Sequence, residues 1–87
     1  MELRDAAGMI LAESAPHPEL LRASRHAYDE FAAGREVAHP VLTEMLREAA
    51  RKNLFGVLKS KHGDRAFDDM VVTLGRYIDR QAPVVRH

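Results

Sequence analysis

The stretch PVLTEMLREAARKNLFGVLKSKH, residues 40–62, has helical periodicity throughout, but its apolar residues change sides partway along. Before the polar triplet Arg51-Lys52-Asn53, the apolar residues share one face: Val41, Leu42, Met45, Leu46, Ala49 and Ala50. After the triplet, a second cluster of Leu54, Phe55, Val57 and Leu58 is rotated from the first by roughly 150°. One straight helix that packs on one core keeps one apolar stripe. The sequence therefore predicts either a helix break near Asn53 or a helix whose two halves contact two different bodies.

Three further helices are predicted around this segment. The first spans residues 2–14, and the second runs from 18 to 33, because prolines at 16 and 18 end one helix and suit the start of the next. Gly34 then suits a left-handed cap. The last helix, over 65–82, has the clearest periodicity, and Pro83 stops it; its stripe is Phe67, Met70, Val71, Leu74, Tyr77 and Ile78. We expect an all-α fold, a small bundle of four helices, or five if segment 40–62 breaks.

Length and composition indicate one small globular domain. The chain has 87 residues, no cysteine, and no apolar run long enough to span a membrane. Without cysteine it has no disulfides, no thiolate metal site and no cysteine nucleophile. The acidic beginning, Met1-Glu2-Leu3-Arg4-Asp5, is unlike a signal peptide. We therefore expect a soluble cytoplasmic protein, and the alanine and arginine usage is typical of bacterial chains.

The formal net charge is zero, but the two halves of the chain have opposite signs. Residues 1–46 carry a net charge of −4 and residues 47–87 a net charge of +4. Six cations lie close together in the basic half: Arg47, Arg51, Lys52, Lys59, Lys61 and Arg65. Clustered cations of this kind bind phosphates, so a nucleic-acid-binding regulator is one hypothesis. A helix-turn-helix over 44–78 fits poorly, because Asp68 and Asp69 come early in its second helix.

No pattern in the sequence indicates catalysis or a cofactor. His26, Asp29 and Glu30 share one helical face, but a zinc or iron site needs further ligands from elsewhere. The serines lie in no nucleophile-elbow motif, and no glycine-rich phosphate loop is present. We therefore expect no catalytic residue, no metal site and no cofactor, and we interpret the chain as a non-enzyme.

The shifted apolar cluster favours a protein-binding role. Leu54, Phe55 and Leu58 would anchor the partner, and Arg51, Lys52 and Lys59 would form a charged rim around them. Interfaces commonly combine a few buried aromatic and aliphatic anchors with a polar rim. The alternative is that the helix breaks and its second half turns to the same core. The first hypothesis is an interaction module, such as a regulatory adaptor or inhibitor, whose partner is another protein and which also forms a homodimer.

Overall fold

The computed structural model describes residues 1–81, and within them the chain forms five α-helices and no strand. They are α1 (Leu3–Ala12), α2 (Pro18–Ala32), α3 (His39–Arg51), α4 (Leu54–His62) and α5 (Asp64–Gln81). The predicted all-α bundle is confirmed in its five-helix form, because segment 40–62 is broken at Asn53. The predicted stop of the last helix at Pro83 lies outside the described residues.

One hydrophobic core is shared by all five helices. Its largest fully buried apolar side chains are Ile10, Leu20, Val37, Leu42, Met45, Leu58, Met70 and Leu74. Ala6 and Ala7 on α1 and Ala27 on α2 are also fully buried. Small side chains at these positions let helices approach closely, and α1 and α2 have the most extensive contact of any two helices among residues 1–81.

A pair of buried serines joins the end of α1 to α2. The Ser24 hydroxyl lies 3.1 Å from that of Ser14, and neither residue is exposed. Ser14 donates to the carbonyl of Ile10 at 2.6 Å, and Ser24 lies 2.7 Å from the carbonyl of Leu20. Each hydroxyl thus has a partner in the core, where an unsatisfied polar group is costly.

Gly34 ends α2 in the left-handed conformation that the sequence predicts, with φ +76°. The N–H of Gly34 donates to Phe31 at 3.1 Å and that of Arg35 to Glu30 at 2.8 Å, which is the Schellman pattern. The Arg35 side chain also forms a two-point ion pair with Glu30, at 2.8 and 3.0 Å. This contact holds the pKa of the Glu30 carboxyl below its usual value. The chain therefore leaves α2 in a fixed direction toward Val37 and α3.

Two positions of the apolar stripes predicted for α3 and α5 lie outside the core. Val71 is 43% exposed, because at 3.6 residues per turn it lies about 80° from the direction in which Met70 and Leu74 point. Ala50 is exposed for the same reason at the edge of α3. Within residues 1–81, none of the helices has the length and apolar character needed to cross a membrane.

Candidate functional site

The break between α3 and α4 decides which of the predicted anchor residues face a partner. Asn53 adopts the left-handed conformation, with φ 56° and ψ 31°, and it is the only non-glycine residue of 1–81 with positive φ. Asparagine is among the few residues that tolerate this conformation, because its short side chain bonds locally. The N–H groups of Lys52 and Asn53 donate to the carbonyls of Glu48 and Ala50, both at 3.0 Å. The last turn of α3 is thereby closed, and α4 starts in a new direction.

After this turn, two of the predicted anchors belong to the protein's own core. Leu54 is 5% exposed and Leu58 is fully buried. The structure therefore has the helix break, the alternative in which α4 turns to the same core. Phe55 is half-buried, and its ring meets that of Phe67 on α5 edge to face, with centroids 5.9 Å apart. Val57 is 43% exposed on α4.

The six cations predicted to form one basic surface divide into two groups. Three have carboxylate partners within the chain: Arg47 with Glu44 at 2.8 Å, Arg51 with Glu48 at 2.9 Å, and Lys61 with Glu13 at 3.0 Å. The other three, Lys52, Lys59 and Arg65, are exposed and have no ion pair with any residue of 1–81. The positive charge that the sequence concentrates in this region is thus partly neutralised locally.

A groove of about 720 Å³ lies between the start of α1, the end of α2 and the part of α5 from Asp69 to Arg80. Arginines and acids both line it, among them Arg4, Arg76, Glu36 and Asp69. Tyr77 stands at its inner side, where its hydroxyl accepts the N–H of Val37 at 3.0 Å. A lining of both charges favours neither an anionic nor a cationic ligand. Sequence reasoning did not find this groove, since residues far apart in the chain form it.

The histidine and carboxylates considered for a metal do not form a ligand set. His26 is exposed, and Glu30 is engaged by Arg35. Among residues 1–81, no group of three or more histidine, aspartate or glutamate side chains is placed to hold a metal ion.

Few large apolar side chains are exposed among residues 1–81, and two of the four are neighbours in the sequence. Within the described part of the chain, the large apolar residues with the greatest exposure are Met1, Val57, Val71 and Val72. Val71 and Val72 adjoin one another in the middle of α5, at 43% and 46% exposure. We call the side of α5 that points away from the core, from Arg65 to Asp79, the outer face of α5. Val72 lies on this face and Val71 at its edge, and no other two large exposed apolar residues are neighbours in the sequence of residues 1–81.

Comparison of this chain with protein-family models, with curated proteins and with solved structures finds no match.

Proposed function

We propose that the protein is a non-enzymatic protein–protein interaction module that self-associates through the outer face of α5. The observation that carries this proposal is the exposed pair Val71 and Val72 in the middle of the longest helix. Isolated exposed apolar residues are normal, whereas contiguous apolar patches rimmed by polar residues are typical of interaction surfaces. A small cysteine-free helical module of this kind would serve in the cytoplasm as a regulatory adaptor or inhibitor.

The aromatic pair Phe55–Phe67 extends this surface toward α4. Phe67 precedes Val71 by one helical turn, so the half-buried ring and the exposed valine lie on neighbouring positions of α5. Lys59 is one turn after Phe55 on α4 and is exposed. In this proposal Phe55 contributes the edge of its ring and Lys59 a rim charge, while Leu54 and Leu58 support the surface from within the core.

Nucleic-acid binding is the second candidate function. It is supported by Lys52, Lys59 and Arg65, the three exposed cations without an ion pair among residues 1–81. Binding to DNA or RNA that weakens steeply with added salt would favour it. We rank it second because Arg47, Arg51 and Lys61 already have carboxylate partners, and because Asp64 and Asp68 lie on either side of Arg65 in the sequence and repel phosphate.

The test is the molar mass in solution, measured by sedimentation over a wide range of concentration at low salt. We expect the wild-type mass to rise from monomer toward dimer with concentration. Val72→Asp should abolish this rise, because it brings an acid to the centre of the contact, while the helical circular dichroism stays unchanged.

Val57→Asp is the matched control, since that valine has a similar exposure, 43%, but lies on α4. It should associate as the wild type does. A wild-type protein that stays monomeric at every concentration would contradict the proposed function.

A further inference from the structure

The outer face of α5 carries four charges placed around one exposed valine. Val72 lies about 180° from the mean direction of Met70 and Leu74, so it points directly away from the core. Arg65 and Asp68 precede it by seven and four residues, and Arg76 and Asp79 follow it by four and seven. All five side chains are exposed.

These four charges have no partner within the described part of the chain. Residues 1–81 form six ion pairs, and none of them includes Arg65, Asp68, Arg76 or Asp79. The third acid on this side of α5, Asp69, instead receives the amino group of Met1 at 3.6 Å. The charges on the outer face are therefore available to a partner.

Their order is self-complementary when the helix is read in reverse. The side chain seven residues before Val72 is positively charged, and the one seven residues after it is negatively charged. The side chains four residues before and four residues after Val72 also have opposite charges. We infer that the occupant of this face is a second copy of the chain, with its α5 antiparallel to the first and a two-fold axis at Val72. This inference rests on the proposed function and specifies its partner and register.

In this register each charge stands level with an opposite one. Arg65 is level with Asp79 of the second copy, and Asp68 with Arg76 of the second copy. A parallel pair of helices would put identical charges level, and a shift that brings Asp68 level with Asp79 would oppose two acids. Charge complementarity of this kind fixes the register and excludes wrong partners more than it adds affinity.

Gly75 gives the second helix room to approach. It lies one turn after Val71 on the side of the outer face, and within residues 1–81 no atom from outside the adjoining turns of α5 lies within 4 Å of where its Cβ would be. Glycine inside a helix has a lower helical propensity than alanine, and none of the helices within residues 1–81 uses the space that Gly75 leaves. A contact made of one helix and one central valine is small, so the dimer is weak, reversible and sensitive to salt.

The register is tested by disulfide formation, for which the cysteine-free chain is well suited. Two helices packed about 8–10 Å apart bring facing Cα atoms into the range of a disulfide. Val72→Cys should therefore form a disulfide-linked dimer on mild oxidation. Val71 has a similar exposure but lies about 100° around the helix from Val72, so Val71→Cys should form several-fold less disulfide-linked dimer. Equal or greater linkage through position 71 would overturn the register.

Charge reversal provides the second arm of the test. Asp68→Arg and Arg76→Asp should each weaken association about tenfold, because each turns two attractions of the dimer into repulsions. The double variant restores opposite signs at these levels and should recover most of the wild-type affinity. If the double variant is no better than the single ones while the wild type still dimerises, the register is wrong and self-association stands. A wild type that remains monomeric overturns both.

Discussion

At the scale of single residues, the hydroxyl of Tyr77 links the loop before α3 to α5. It accepts the N–H of Val37 at 3.0 Å and the side-chain amide of Gln81 at 2.7 Å. The ring packs edge to face on Phe31, with centroids 5.2 Å apart. Val37 is 1% exposed, so its N–H has no access to water. The phenol therefore satisfies a backbone donor that would otherwise be buried without a partner.

Tyr77→Phe should lower the free energy of unfolding by about 1–3 kcal/mol, the cost of an unsatisfied buried donor. Urea denaturation followed by circular dichroism measures this change. Tyr28→Phe is the matched control, because none of the side-chain hydrogen bonds among residues 1–81 involves the Tyr28 hydroxyl. Equal losses in the two variants would contradict this role for Tyr77.

The sequence predicts that Tyr77 lies on the apolar stripe, but not what its hydroxyl contacts. A buried tyrosine needs a partner for its hydroxyl, so a hydrogen bond was to be expected. Its partner lies 40 residues earlier in the chain, and no local pattern connects the two positions. The groove beside Tyr77 escapes sequence reasoning for the same reason.

At the scale of helices, the left-handed residue Asn53 converts one helical segment into α3 and α4. The rotation of the apolar cluster after residue 53 correctly marks this position in the sequence. The rotation alone does not distinguish a broken helix from a continuous helix with two contact surfaces, because the same apolar residues are buried in either case. The backbone conformation of Asn53 decides between them, and it places Leu54 and Leu58 in the core.

Asn53→Ala should destabilise the protein by about 1–2 kcal/mol, because alanine pays the steric cost of the left-handed region. Asn53→Gly should be close to neutral, since glycine adopts that region freely. Thermal unfolding of the two variants measures the difference. A glycine variant as unstable as the alanine variant would show that the asparagine side chain, and not the backbone angle, is what matters.

At the scale of the whole molecule, the fold joins the acidic and the basic half of the chain through ion pairs. Ion pairs such as Lys61–Glu13, at 3.0 Å, connect the halves and neutralise part of each. The charges left without partners among residues 1–81 include those on the outer face of α5. The helix and its periodicity were predictable from the sequence. The availability of those charges was not, because it depends on which carboxylates the fold brings to which cations.

The most direct test of the proposed self-association is nuclear magnetic resonance of the isotope-labelled protein at increasing concentration and low salt. We expect the backbone amide shifts to change with concentration mainly within residues 65–79, and added salt to reverse the change. Concentration-dependent shifts centred on α1, α2 or α3, or no dependence on concentration at all, would contradict it.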